Sequence, residues 1–436
     1  MKRTNLQTGP LAALGCAALL GLAACQNALE VELPGRVTAD DLNSAQNASA
    51  LANGVVLDFE CGWTNYVTAS NALSDQTINA SNQGVSSAWY TRNILNNDPA
   101  LLGSCEPATG LYPYAPLQIA RTGAARAFTL IDGFSDALVP TKAVLKTTVK
   151  VYGAYATLAL GEGFCEAVLT PGNVQPPAAA LANAEAQFTE AITLATAANN
   201  TDLLNMARVG RARARLDQGN FAGARSDAEA VPATYVKLAT RGSGEKQRWN
   251  LLFEFQNNTA VNAARHGSIA PNFRAMTFGG VPDPRPGVAA TQSGFGNDGV
   301  TPFFAHTRAT ARDAGVVIAS GREAQMIVAE AAARSGDLAT ARTIITARHA
   351  LAGLPAYDPA GTATQNEVIT QVIDERSREL FLEAGHRLND MLRFRSTSFR
   401  IPFRGEPGSV HPTGKDHRGL DYGATTCIPL PLAEKP

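Results

Sequence analysis

The stretch that most restricts the fold runs from Glu367 to Arg395, and it has the pattern of an amphipathic helix. Its apolar residues recur at three- and four-residue spacing, the period of a helix with one buried stripe: Val368, Val372, Ile373, Leu380, Phe381, Leu388 and Met391. Charges of both signs are spaced for pairing along the helix: Asp374 with Arg378, Arg376 with Glu379, Glu383 with Arg387. Taken alone, the pattern predicts a structural helix with a solvated charged face, which Gly385 ends or kinks.

The first 25 residues have the pattern of an export signal. Lys2 and Arg3 are the only charges before Glu30, and the apolar run of residues 11–24 is 14 residues long. A membrane-spanning helix needs about 20 residues, so this run is the core of a leader peptide. The sequence Leu-Ala-Ala-Cys that ends at Cys25 resembles a bacterial lipobox, whose cysteine becomes an acylated N-terminus. We expect a signal peptide over residues 1–24 and a lipidated tether over 25–38. The alternative is ordinary secretion with Cys25 as a thiol.

Composition excludes one class of partner and one kind of membrane attachment. Loss of the leader removes two of the 37 basic residues and none of the 38 acidic ones, which leaves a net charge of −3. Without a basic excess, nucleic acid is not an expected partner. No second apolar run has the length of a membrane span, so any attachment to a membrane comes from the lipid.

Four cysteines remain after the leader and Cys25 are set aside: Cys61, Cys105, Cys165 and Cys427. An even number in an exported chain indicates disulfides, with three possible connectivities. We favour Cys61 with Cys105, which share one loop-rich stretch, and therefore Cys165 with Cys427. Buried free thiols are the alternative. No cysteine or histidine spacing fits a zinc site, so no metal or cofactor is expected.

An internal repeat indicates stacked helical hairpins. Residues 212–225 and 329–342 share alanine, glycine and alanine at matching offsets. The glycine is expected to end the first helix at positive φ, and Asn220 or Asp337 to cap the second. The pattern resembles the tetratricopeptide (TPR) hairpin, although most of that motif's large aromatic positions are missing. A chance alignment of Ala-rich helices is the alternative. The copies are 117 residues apart, which is too far for consecutive repeats.

Three long segments, at about 60–112, 240–320 and 396–436, show little helical period and are expected to be irregular insertions. Within residues 367–395, a set of charges then gives a more specific signal: Glu375-Arg376, Glu379-Leu380, Glu383-x-Gly385-x-Arg387 and Asp390-Met391-x-Arg393. Together with the lipobox and the order of segments, this set resembles the SusD/RagB family of nutrient-binding outer-membrane lipoproteins. The resemblance implies an all-α, TPR-like solenoid with the irregular segments packed on one side. It implies a single domain over 39–436, with TPR-like helices at about 114–235 and 322–395.

The segment at 60–112 is the expected ligand site. Aromatic rings can stack on the apolar faces of sugars, and polar side chains can bond their hydroxyls. SusD-like proteins draw ligand contacts partly from this segment, and the resemblance therefore points to Trp89, Tyr90, Asp75, Trp63 and Tyr66. The alternative is that the tryptophans are core residues, as is common for this residue type.

The resemblance implies a nutrient-binding protein, lipid-anchored in the outer membrane and facing the exterior. It would deliver an oligosaccharide or a peptide to a TonB-dependent (SusC-like) transporter. No nucleophile elbow or phosphate-binding loop is evident, and we expect no catalytic residues. The alternatives are a TPR-type scaffold lipoprotein for envelope assembly, a peptide-binding member of the same family, and an enzyme.

Overall fold

The computed structural model describes residues 43–105, 110–258 and 264–435. The expected signal peptide, the lipidation site at Cys25 and the tether lie outside these ranges. Within them, no helix combines the length and the apolar character needed to cross a membrane.

Helices dominate the described chain, and their bounds are α1 Ala48–Leu73, α2 Gly84–Tyr90, α3 Tyr114–Gly133, α4 Lys142–Gly163, α5 Pro177–Ala197, α6 Thr201–Asp217, α7 Phe221–Glu229, α8 Leu251–Gln256, α9 Gly321–Arg334, α10 Leu338–Leu351, α11 Gln365–Glu379 and α12 His386–Arg393. The strands are short: β1 Thr77–Asn79, β2 Ala167–Thr170, β3 Asn173–Gln175, β4 Val236–Ala239, β5 Gly267–Ile269, β6 Thr277–Phe278, β7 Val281–Pro282 and β8 Val316–Ser320. They form four antiparallel pairs, β1–β5, β2–β3, β4–β8 and β6–β7. The all-α prediction is confirmed.

A solenoid of paired helices forms the body of the molecule. From α3 to α7 each helix packs against the next, and α1 lies across α3 and α4. The small residues of α4 allow close approach, since a Cβ added to Gly153 would lie 2.7 Å from Cβ of Ala124 on α3. The main apolar core runs between α1 and these helices, with Phe59, Tyr155 and Phe188 fully buried.

The two repeat copies form the hairpins α6–α7 and α9–α10, as predicted. Gly219 and Gly336 end the first helices with φ of 76° and 85°. The side chain of Asn220 accepts a hydrogen bond from the backbone N–H of Gly223, and Asp337 accepts one from Thr340. Both glycine turns and both helix caps therefore follow the sequence pattern.

The two copies are not consecutive in the sequence, but they are adjacent in space. Helix α7 packs directly against α9, and Arg225 pairs with Asp337 at 2.8 Å. The chain returns to its point of departure because β4 pairs with β8, with Val236 opposite Ser320 and Ala239 opposite Val316. Residues 240–315 therefore leave the solenoid and come back to it without separating the hairpins.

The segment expected to be irregular from about residue 60 begins as helix. Residues 60–73 complete α1, whose side chains from Phe59 onward are all buried. A helix buried on every side has no amphipathic period, so the pattern was not visible. Its polar side chains bond the preceding turn, as Thr68 does to the carbonyl oxygen of Thr64 at 2.8 Å. In the described parts of 240–320 and 396–435, regular elements are few and short.

Candidate ligand-binding surface

The stretch from Glu367 to Arg395 forms two helices, α11 and α12. The break begins at Leu380, ahead of the predicted kink, and positive φ angles follow at Leu382, Ala384 and Gly385, at 57°, 50° and 75°. A Cβ at Gly385 would lie 2.9 Å from the ring of Tyr66 on α1. The apolar stripe is buried as predicted, with Leu380, Phe381 and Leu388 at 1%, 0% and 0% exposure.

The prediction of a solvated charged face is wrong. Only the Asp374–Arg378 pair forms as predicted, at 2.8 Å. Arg376 instead pairs with Asp390 at 3.0 Å. Arg387 makes two hydrogen bonds, at 2.7 and 2.6 Å, to Asp75, which is distant in the sequence. Glu383 pairs with Arg308, at 2.9 Å, and with Arg322. Buried charges require partners, so these pairs fix how the elements fit together.

A second group of charges fastens residues 240–315 to α11. Arg285 bonds Asp283 at 2.7 Å and also reaches Glu375, while Arg378 bonds Asp283 at 2.9 Å. Burial raises the pKa of Asp283, but the hydrogen bonds from both arginines outweigh it and lower that pKa to about 2. The carboxylate therefore stays ionised at neutral pH, and the insertion is held in place.

The five predicted ligand residues all lie in the interior. Trp63, Tyr66, Trp89 and Tyr90 have no exposed surface, and Asp75 is 6% exposed. Trp63 stacks on Phe59, with 5.3 Å between ring centroids, and lies 5.6 Å from Tyr66. Trp89 and Tyr90 end α2, where burial raises the pKa of Tyr90. The structure supports the packing alternative for the two tryptophans, and the two tyrosines are buried as well. The role of all five residues in ligand binding stays a prediction.

The four cysteines form the two pairs that the sequence favoured. Cys61 on α1 is bonded to Cys105, with 5.9 Å between the Cα atoms, and Cys165 is bonded to Cys427, at 5.1 Å. The second bond fixes the C-terminal segment to the end of α4. Backbone hydrogen bonds support it there, from Cys165 to the carbonyl oxygen of Ile428 and from Ile428 to that of Gly163.

Three irregular segments meet at one surface, which we call the loop surface: residues 79–83, 293–303 and 411–423. The backbone N–H of Asp298 donates to the carbonyl oxygen of Ala80 at 2.9 Å, and that of Asn82 donates to Oδ1 of Asn297 at 3.1 Å. Arg418 joins the third segment to both, through Asp298 at 2.9 Å and the carbonyl oxygen of Ser81 at 3.0 Å. Residues from the middle of the segment expected to bind ligand, 79–83, therefore lie here.

A hairpin at 293–303 forms the centre of the loop surface. Its backbone bonds join Ser293 to Phe303 at 2.8 Å and Gly296 to Thr301 at 2.9 Å. Gly296 lies so close to Ala80 that an added Cβ would be 2.5 Å from the Cβ of that alanine. The carboxylate of Asp298 accepts from the N–H groups of Val300 and Thr301 at 3.0 and 2.9 Å. Hydrogen bonds within the sequence Gly-Phe-Gly-Asn-Asp-Gly and the residues just after it therefore stabilise the turn.

The charged groups of the loop surface have fixed partners. Burial raises the pKa of Asp298, but the hydrogen bonds from Thr301 and Val300 and the charge of Arg418 outweigh it, so that pKa is lowered. His417 bonds the hydroxyl of Thr301 and His411 that of Tyr422, each at 2.7 Å. Burial, the largest cause, lowers the pKa of both histidines. The carboxylate of Asp298 is therefore ionised at pH 7, but its side chain is only 3% exposed, so it holds the turn in place from inside the surface.

The outer part of the loop surface combines a ring with hydrogen-bonding groups. Phe295 is 49% exposed, and the exposed Asn82 lies on the neighbouring segment. Sequence reasoning missed Phe295, Asn297 and Arg418 and found no reason to select Asp298. The glycine-rich turn around an aromatic residue, inside a loop-rich segment, was the available signal. In the described chain, no group of three or more His, Cys, Asp or Glu side chains is arranged to hold a metal ion.

The SusD family model matches residues 323–422, which contain most of α9, all of α10 to α12 and most of the third loop segment. No curated protein matches the chain. Solved structures of similar fold include a SusD-like carbohydrate binding protein from Bacteroides vulgatus, with a TM-score of 0.61 and 14% identity over 83% of this chain and 86% of that one. A putative sugar binding protein from the same organism gives a TM-score of 0.64 and 14% identity over 89% and 95%. Surface glycan-binding protein A from Bacteroides uniformis gives 0.62 and 11% over 88% and 97%. The family resemblance seen in the sequence is confirmed: residues 323–422 match the SusD family model, and the fold over most of the chain is similar to those of SusD-like structures.

Proposed function

We propose that this protein captures a glycan at the cell surface and passes it to a TonB-dependent (SusC-like) outer-membrane transporter. Its fold is similar to those of proteins described as carbohydrate-binding and glycan-binding. The observation that carries the proposal is the loop surface, where the half-exposed ring of Phe295 belongs to the same hairpin as Asn297, whose Oδ1 accepts a hydrogen bond from the backbone of the exposed Asn82. An exposed ring offers a stacking face, and amides bond hydroxyl groups.

The bonding of Asp298 supports capture without turnover. Glycoside hydrolysis requires two carboxyl groups, one of which carries a proton to the leaving group. Asp298 instead bonds two backbone N–H groups, the hydroxyl of Thr301 and Arg418, and its lowered pKa keeps it ionised. It therefore orients the turn and accepts hydrogen bonds, and we propose no catalytic step.

Attachment to the outer membrane would come from acyl chains on Cys25. The lipobox-like sequence before that residue supports this part of the proposal. A membrane-bound position at the exterior would hold the loop surface within reach of both extracellular glycans and a transporter.

Calorimetry of the purified chain against neutral and acidic oligosaccharides and short peptides tests the proposal. We expect at least one oligosaccharide to bind. Phe295→Ala should weaken that binding between about two- and tenfold, the value of one stacked ring. Leu138→Ala is the matched control, because it truncates an apolar side chain that is 69% exposed outside the loop surface.

Three results would change the proposal. Equal affinity in Phe295→Ala and the wild type would remove the loop surface as the site. Binding of peptides but of no oligosaccharide would change the proposed ligand from a glycan to a peptide. Failure of the tagged chain to co-purify with a TonB-dependent receptor from outer membranes would remove the transport partner.

A further inference from the structure

A polar cleft outside the loop surface lies between the connection that follows α10 and the exposed side of α11. Its volume is about 570 Å³, and Tyr357, Asp358, Thr362, Asn366, Thr370 and Gln371 line it. Volumes of about 300–1,000 Å³ are typical of small-molecule sites in proteins. The cleft shares no residue with the loop surface.

Several bonds hold the rim of the cleft in one shape. The carboxylate of Asp358 accepts from the N–H groups of Thr362 and Ala363, each at 3.0 Å, and pairs with Arg342 at 3.3 Å. Asp358 itself has a φ of 42°, a left-handed conformation that persists only where its surroundings fix it.

The far end of the same connection is also fastened. The ring of His349 bridges the carbonyl oxygen of Pro355, at 2.7 Å, and the carboxylate of Glu375, at 2.8 Å. Glu367 at the start of α11 completes a capping box with Thr364. The cleft is therefore a formed feature of the fold, supported from α10 and from α11.

The lining has the chemistry of a neutral, hydroxyl-rich ligand. Tyr357 supplies a half-buried ring, Asn366 and Gln371 supply amides, and the threonines supply hydroxyl groups. The residues that line the cleft include two carboxylates, Asp358 and Glu367, and no basic side chain. Hydrogen bonds lower the pKa of both carboxyl groups, from Ala363 and Thr364 respectively, so both are ionised at neutral pH. An anionic ligand would meet like charge here.

We infer that this cleft is a second saccharide site, which binds one or two units of a neutral oligosaccharide by stacking on Tyr357 and hydrogen bonding to Asn366 and Gln371. The inference rests on the proposed glycan binding and deepens it, because it restricts one contact to uncharged sugar units. Two separated sites on one chain raise the effective concentration of a long glycan at each of them.

Fluorine NMR of the chain labelled with 3-fluorotyrosine tests the inference. The protein has nine tyrosines, and the resonance of Tyr357 is assigned as the one missing in Tyr357→Phe. The probes are neutral gluco-, xylo-, manno- and fructo-hexasaccharides, with a sulfated hexasaccharide as the anionic comparison. We expect one neutral probe to shift the Tyr357 resonance in a saturable way, in the wild type and in Phe295→Ala alike.

Substitutions in the Phe295→Ala background, where binding at the loop surface is weakened, test the contribution of the cleft. Tyr357→Ala should weaken the remaining binding between about two- and tenfold, and Asn366→Ala should weaken it too. Thr343→Ala, an exposed residue of α10 outside the cleft, should leave it unchanged. Melting curves of each variant show whether the fold is retained, and the fluorine shift in the intact chain does not depend on any variant's stability.

The outcomes separate the two proposals. A glycan that binds the wild type by calorimetry but leaves the Tyr357 resonance fixed would overturn the second site and keep the proposed function. A shift with the sulfated probe alone would overturn the neutral ligand class. Absence of binding by every oligosaccharide would overturn both.

Discussion

Trp89 has a fully buried side chain at the end of a short helix, so its first role is packing. We predict that Trp89→Ala lowers the free energy of unfolding by about 3–5 kcal/mol, the usual cost of removing a large buried ring. Urea unfolding checks this value. Phe295→Ala is the control, and it should change stability by less than about 0.5 kcal/mol because that ring is half exposed. A stable Trp89→Ala protein that has lost its ligand would restore the binding role.

Asp217 makes stability depend on pH near neutrality. Burial, followed by the charge of Glu162, raises the pKa of this carboxyl group to about 8, against the attractions of Arg393 and Arg213. The folded state therefore keeps the proton where the unfolded chain has lost it. The resulting stabilisation is complete below about pH 4, the unfolded value, and is lost as the pH rises through 8.

We therefore expect wild-type stability to fall relative to Asp217→Asn as the pH rises from 6 to 8. For one proton, the free energy of unfolding can fall by at most about 1.4 kcal/mol per pH unit. Melting temperatures of the two proteins across that range give the difference, in which titrations common to both cancel. Asp136→Asn should show no such trend, since its side chain is 89% exposed. A constant difference between wild type and Asp217→Asn would show that Asp217 is ionised throughout.

At the scale of elements, the break between α11 and α12 depends on Gly385. We predict that Gly385→Ala destabilises the protein by more than Gly336→Ala. Both residues have positive φ, which costs an alanine about 1–2 kcal/mol. Only at Gly385 would the new Cβ also meet a ring, Tyr66 at 2.9 Å, whereas nothing lies within 4 Å at Gly336. Denaturant unfolding of both variants checks the order. Equal losses would mean that the ring of Tyr66 moves aside without cost.

The sequence predicted those features of the elements that depend on nearby residues. The buried stripe of Leu380, Phe381 and Leu388 and the glycine turns at 219 and 336 follow from spacing along the chain. The partners of the charges could not be predicted in the same way, because Asp75 is 312 positions from Arg387. Exposure likewise depends on contacts that are distant in the sequence. The exposed Phe295 was therefore missed, while the buried Trp63 and Trp89 were selected.

At the scale of the whole molecule, the disulfide between Cys165 and Cys427 links positions 262 residues apart, against 44 for Cys61 and Cys105. In the chain-entropy model, the longer loop adds about 1.6 kcal/mol of stabilisation. We predict that the double variant Cys165→Ser, Cys427→Ser loses that much more free energy of unfolding than the double variant Cys61→Ser, Cys105→Ser. Guanidinium unfolding of both double variants measures the difference. A larger loss for the shorter loop would show that local packing, and not chain entropy, decides their contributions.

The pairing of β4 with β8 has a consequence for how such a protein can change. The two strands bring Ala239 and Val316 side by side, so the polypeptide enters and leaves the 240–315 insertion at adjacent positions. An insertion with adjoining ends behaves as an exchangeable cassette: it can lengthen, shorten or be replaced while the helical array on either side keeps its register. The hairpin that carries Phe295 belongs to this cassette. A replacement need only keep the buried ion pairs that fasten the insertion to α11, such as Arg285 with Glu375, while the rest of the helical array is inherited unchanged.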